Sequence, residues 1–126
     1  MYKFSQRSLD RLQGVHPDMV KLMSESIKES PYDFGITEGR RDNTRQQQLV
    51  KEGKSRTLNS RHLTGHAVDI AVFIDGKLTW DFDKYKAVAE HVKKVAASLG
   101  VSIIWGGDWR GLVDGPHFEL NRKDYP

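Results

Sequence analysis

The residues in this chain with the types and spacing to do chemistry are His62, Asp69, Asp114, His117 and Glu119. The first two lie in Ser60-Arg61-His62-Leu63-Thr64-Gly65-His66-Ala67-Val68-Asp69. On one continuous strand they would stand too far apart to act together. Gly65 supplies a turn, so His62 can enter on one segment while Asp69 projects from the next. His117 adds a second imidazole. Two imidazoles, one carboxylate and a water make an open tetrahedral zinc site. Such a site stays net positive and acidifies its water. The other reading of these residues is a set of satisfied polar groups in a small sheet. His66 lies between the two but is not read as a ligand.

Metal-assisted hydrolysis also needs a base near the water. Asp114 precedes His117 by three residues, across Gly115-Pro116. If His117 opens a strand, Asp114 sits on the turn before it and can reach the water without binding the ion. Glu119 would share the face of His117 through strand alternation. Asp114 is the favoured base, with Glu119 a partner of His117 or the alternative base. Asp108 either orients a ligand histidine or caps a turn. Trp105 and Trp109 line a substrate groove or pack in the core. His16 reads as a capping or packing residue, and His91 as surface or packing.

These residues need elements to position them. Phe4, Leu9 and Leu12 suggest a short helical turn over 8–13, ending at Gly14. Pro17 and Asp18 suit a first helical turn. The apolar spacing of Met19, Val20, Met23 and Ile27 then predicts a helix over 17–29. A strand is expected over 32–37, then a helix over 44–52 capped by Asn43-Thr44 and ended by Gly53. A polar loop, 54–59, leads to His62. The β-prone run 67–73 and the segment 77–80 form a hairpin around Asp75-Gly76. Asp81 or Asp83 opens the longest helix, to Leu99, with Gly100 closing it. Strands follow over 101–105 and 117–120, around a turn at 106–111. The last six residues are expected to trail off.

With 126 residues the chain suits one domain with one modest core. The absence of cysteine excludes disulfides and thiolate zinc sites, so any metal falls to His, Asp and Glu. A net charge of +3 weakly favours anionic partners. The basic residues are dispersed, without the stripe and interleaved aromatics of a nucleic-acid binder. No apolar run is long enough to span a membrane. The first residues lack a signal peptide's apolar core, so no secretion address is expected.

The element Ser60-x-His62-x-x-Gly65-x-Ala67-x-Asp69, joined to Asp114-x-x-His117, resembles the zinc D-Ala-D-Ala carboxypeptidase family. That family includes VanY-like carboxypeptidases, D-Ala-D-Ala dipeptidases and phage L-alanyl-D-glutamate endopeptidases. Val15-His16-Pro17, Glu38-Gly39-Arg40-Arg41-Asp42 with Gln46/Gln47, and Trp105-Gly106-Gly107-Asp108-Trp109 follow in family order. The resemblance implies an α+β fold, a small antiparallel sheet packed with helices in one hedgehog-like domain spanning 1–126. It implies one Zn²⁺ held by His62, Asp69 and His117, with Asp114 as catalytic acid and base. It implies that Arg41 stabilises the substrate carbonyl or oxyanion and that Ser60 contacts substrate. Here the chain departs from the pattern, with Arg40 adjacent and Asp42 where many relatives have Thr. Alternation from the strand before them would put Arg40 and Arg41 on opposite faces.

The implied partner is bacterial peptidoglycan, and the implied reaction is amide hydrolysis in its stem peptides. A compact catalytic domain without a signal looks most like a phage endolysin cutting L-Ala–D-Glu. It would be held as a monomer in the host cytoplasm until lysis and would then act on the wall. A D-Ala-D-Ala carboxypeptidase or dipeptidase is the alternative, although the short segment 109–114 offers little loop to close over a free dipeptide. A non-catalytic zinc-binding module of the same fold is the reading from another class.

Overall fold

A computed structural model of the chain describes residues 2–53, 60–111 and 113–126. The expected polar loop 54–59 lies outside the described residues. Strand β2 (Ala67–Ile74) runs through the middle of the sheet. Strand β1 (Asp33–Glu38) lies along one side of it. Strands β3 (Lys77–Thr79) and β5 (His117–Leu120) share the other side, and β4 (Ile103–Trp105) pairs outside β5. All the pairings are antiparallel. In the β2–β3 turn both Asp75 (φ 51°) and Gly76 (φ 78°) are left-handed, as a two-residue hairpin of this twist requires.

Strand alternation sorts the sheet into two faces. Val68, Ile70 and Val72 of β2, Phe34 and Ile36 of β1, and Phe118 and Leu120 of β5 join one core. Helices α2 (Pro17–Lys28) and α4 (Phe82–Leu99) cover it. From α2 come Met19, Leu22, Met23 and Ile27, and from α4 come Tyr85, Val88, Ala89, Val92 and Ala96. Full burial of a Val, Leu, Ile, Met or Phe side chain contributes roughly 1.5–3 kcal/mol. The intervening residues on the strands, Asp69, His117 and Glu119, therefore point to the opposite face, in register with one another. Asp69 pairs with His117 on one side and with Glu38 on the other.

The helix ends follow the sequence closely, with two corrections. His16 caps α2, its Nδ1 accepting the Asp18 N–H at 3.1 Å. Asp81 caps α4, and Gly100 closes it at φ 71°. Helix α3 (Asn43–Lys51) is capped by Asp42, not by Asn43-Thr44. The Asp42 carboxylate accepts the Arg45 N–H at 2.7 Å, and as an anion it suits the positive helix end better. The first helix, α1 (Gln6–Arg11), starts two residues earlier than expected because Ser5 caps it. It packs along β1, where Ser8 Oγ accepts the Ile36 N–H and Arg11 donates to the Ile36 carbonyl, both at 3.0 Å.

The C-terminal residues do not trail off. Tyr125 donates its hydroxyl to Asp18 at 2.6 Å and sets its ring edge-on against His16. Arg61 donates to the carbonyls of Leu120 and Tyr125. These contacts join residues far apart in sequence, which local composition does not register.

Candidate metal centre

His62 stands on a 3₁₀ turn, Arg61–Thr64, capped by Ser60, whose Oγ accepts the His62 N–H at 3.2 Å. Gly65 ends the turn at φ 75° and sends the chain into β2. A Cβ at this position would also collide with the Gly14 carbonyl oxygen. Gly65 thus supplies the turn that the spacing of His62 and Asp69 demands. On the far side of β2, the register sets His117 of β5 opposite Asp69. His62, Asp69 and His117 each offer a ligand atom, all within 4.8 Å of one another.

Each imidazole is fixed by a partner behind it. The His62 Nδ1–H donates to the Gly39 carbonyl at 2.8 Å, which turns the Nε2 lone pair inward. That Nε2 is buried, has no hydrogen-bond partner among the described residues, and lies 3.4 Å from Asp69 Oδ1. The His117 Nε2–H donates to Glu119 at 2.9 Å, leaving Nδ1 aimed at Asp69 Oδ1, 3.1 Å away. Two lone pairs and a carboxylate thus converge on one point. Only a cation or a proton makes that arrangement favourable. Burial alone would lower the His117 pKa, but its hydrogen bonds to Asp69 and Glu119 push it up to about 9. Burial likewise opposes ionisation of Asp69, yet the hydrogen bond from protonated His117 and the closeness of the His62 imidazole hold its carboxyl well below the usual range. The donor set therefore fits a divalent ion taking Nε2, Oδ1 and Nδ1. The second-row hydrogen bonds set tautomer and orientation, as is usual at such centres.

Asp114 stands beside this cluster without joining its ligand atoms. Its N–H donates to the Gly106 carbonyl, and its carbonyl accepts the His117 N–H. A Cβ on Gly106 would collide with the Asp114 carbonyl oxygen, so glycine is needed for this approach. Burial raises the Asp114 pKa, and the nearby Asp69 charge raises it further. A half-buried carboxyl with an elevated pKa suits a group that takes and returns a proton.

Of the adjacent arginines, Arg41 is buried and Arg40 is exposed. Glu38 holds Arg41 through two bonds of 2.8 Å, and Gln46 accepts a third at 2.7 Å. One Arg41 nitrogen comes within 3.8 Å of Asp69. The guanidinium is thereby held at the margin of the donor cluster. In the sequence these partners stand out only as neighbours in family order. Their roles follow from the β1 bulge near Thr37 and from Gln46 on α3 bonding Arg41.

Several expectations resolve differently. Asp108 neither orients a ligand nor caps through its side chain; it pairs with Lys93 at 2.6 Å on the surface. The orienting partners are Glu119 and the Gly39 carbonyl. A backbone carbonyl gives no signal in sequence. Trp105 is buried in the core and donates to the Gly115 carbonyl at 2.6 Å, whereas the Trp109 ring lies 4.9 Å from that of His117. His66 bonds Thr64 and lies outside the cluster, and His91 meets the Ser26 carbonyl.

Fold and site together define a small α+β domain with a His-Asp-His cluster able to hold a metal ion. The model of the phage L-alanyl-D-glutamate peptidase family matches residues 1–121. The L-alanyl-D-glutamate peptidase of Escherichia phage T5 is 33% identical, over 94% of this chain and 98% of that protein. The Bacillus subtilis peptidoglycan L-alanyl-D-glutamate endopeptidase CwlK is 32% identical, over 84% of this chain and 73% of its own. The crystal structure of the Serratia marcescens L-Ala D-Glu endopeptidase ChiX superposes with a TM-score of 0.92 at 42% identity, covering 98% of this chain and 94% of that one. The chain belongs to the phage L-alanyl-D-glutamate peptidase family.

Proposed function

We propose that the protein is a zinc-dependent endopeptidase that cuts the L-alanyl-D-glutamate bond of peptidoglycan stem peptides. The observation that carries this reading is the convergence of His62 Nε2, Asp69 Oδ1 and His117 Nδ1, with Asp114 beside them. The names of the relatives supply the bond. When bound, one Zn²⁺ acts as a Lewis acid that acidifies water and polarises the scissile carbonyl. Asp114 takes a proton from the attacking water and returns it to the leaving amine. Arg41, held by Glu38 and Gln46, faces the charge that develops on the carbonyl oxygen. Ser60 still has its own O–H to donate after capping the His62 turn, and is assigned to substrate contact. A single domain spanning the chain does this as a monomer, held in the host cytoplasm until lysis and then acting on the wall. No helix among the described residues is long and apolar enough to cross a membrane.

The test is mass spectrometry of purified peptidoglycan after digestion by the zinc-loaded protein. New D-glutamyl amino termini are expected. Asp114→Asn should bind one zinc and lose roughly 10²–10⁴-fold in rate, the range for a positioned acid–base group. Release of terminal D-Ala instead would make the protein a carboxypeptidase. Zinc binding with the wall left intact would make it a binding module.

A further inference from the structure

A cavity of about 330 Å³ opens where α1 lies over β1 and β2. Gly35, Ala71 and Phe73 line its base, and Lys3, Arg7 and Arg11 stand around it with one carboxylate, Asp33. Ala71 follows Asp69 by two residues on β2, so both side chains share a face, about 6.6 Å apart along the strand. Gly35 pairs opposite Ala71. A Cβ at Gly35 would stand 3.0 Å from Ser8 Oγ and 3.7 Å from the Phe73 ring, so the two small residues keep this part of the face low. The cavity is thus the next rung of the surface that carries the metal ligands.

Its charge is unbalanced. Arg11 gives one N–H to the Ile36 carbonyl. Lys3 and Arg7 are exposed and hold no hydrogen bond or ion pair among the described residues. The substrate carries the complementary group, an inference that rests on the endopeptidase reading above. A glutamyl residue has two carboxyls. Its amine is acylated by L-alanine and one carboxyl continues the chain, so the other remains a free carboxylate a few bonds from the scissile nitrogen. It lies on the leaving side.

We propose that this cavity is the subsite for the leaving half of the substrate, with Arg7, assisted by Lys3, binding the free carboxylate of the D-glutamyl residue. A guanidinium matches a carboxylate through two parallel hydrogen bonds, which an ammonium cannot do.

The experiment compares two synthetic stem peptides that differ only in whether this carboxylate is free or amidated. For the wild-type protein KM should be roughly tenfold higher for the amide, the scale of one charge-assisted contact, with kcat little changed. Arg7→Ala should raise KM about as much for the free acid and leave the amide unaffected, and Arg7→Lys should recover part of the loss. Circular dichroism should show unchanged folding, because Arg7 is exposed on the surface of α1; Lys3→Ala provides a second variant. Equal KM values for the two peptides in the wild type overturn the subsite alone. So does a loss in Arg7→Ala that is the same for both peptides. Cleavage of neither peptide by the zinc-loaded protein overturns the endopeptidase reading and the subsite with it.

Discussion

Replacing Glu119 separates the two roles open to this carboxylate. Its Oε1 accepts the His117 Nε2–H at 2.9 Å, and both side chains are largely buried. Glu119→Ala leaves that largely buried N–H without its partner. Such an orphaned group costs about 1–3 kcal/mol, and hydrogen bonds to charged groups fall in the same range. At about 1.4 kcal/mol per tenfold change, zinc affinity should weaken roughly 10- to 100-fold. Glu119→Gln keeps an acceptor and the tautomer but loses the charge. Charge-assisted bonds are roughly twice as strong as neutral ones, so about half the free energy goes, on the order of 3- to 10-fold in affinity. Competition with a chromophoric chelator at neutral pH gives the constants. Activity is then measured with zinc in excess, so that every variant is loaded. If Glu119 only holds His117, the loaded variants keep kcat close to wild type. A loss of roughly 10²–10⁴-fold in kcat at full zinc occupancy, with affinity unchanged, would refute the reasoning and make Glu119 the base.

Two further outcomes follow from the same geometry. With its pKa pushed up to about 9, His117 of the metal-free protein holds a proton that zinc must displace. Apparent zinc affinity should therefore rise by about tenfold per pH unit up to that value and level off above it, as read by chelator competition across pH. The sign for stability is opposite. The folded pKa of His117 lies above its ordinary 6.5, so its contribution to the metal-free fold is complete below that pH and lost as the pH rises through about 9. Urea midpoints should fall across this window for the metal-free protein. Gly65→Ala combines a left-handed backbone with a collision against the Gly14 carbonyl. It should cost more than about 2 kcal/mol in urea unfolding and lower zinc occupancy, because the turn that carries His62 must shift.

Part of the logic that gathers His62, Asp69 and His117 is local, and the family resemblance supplied the rest. A glycine turn joins His62 to Asp69, and a strand starting at His117 fixes the third donor and the side on which Glu119 lies. The long helix and the Asp75-Gly76 hairpin were legible for the same reason, since amphipathic period and turn chemistry are written in neighbouring residues. What the sequence hid depends on distance along the chain. The Gly39 carbonyl meets His62 across 23 residues. Tyr125 reaches Asp18 across 107, which is why a tail that looked loose is packed. Asp108 was misread because its partner, Lys93, lies on the surface of α4 and nothing near it in sequence indicates the pairing. The choice between Arg40 and Arg41 needed the Glu38–Gln46 cradle, which joins the end of β1 to α3 through the Arg41 side chain.

The bonds between α1 and β1 bear on how molecules of this protein meet one another. β1 is a margin of the sheet, and a bare margin is a template on which a strand from another molecule can add. The Ile36 N–H and carbonyl are turned away from β2, towards α1, where Ser8 and Arg11 already occupy them. At Ile36 a neighbouring chain would find both groups already taken. The lysine and two arginines around the adjacent cavity add like-charge repulsion between copies. One six-residue helix thereby covers part of an edge that would otherwise be free to pair.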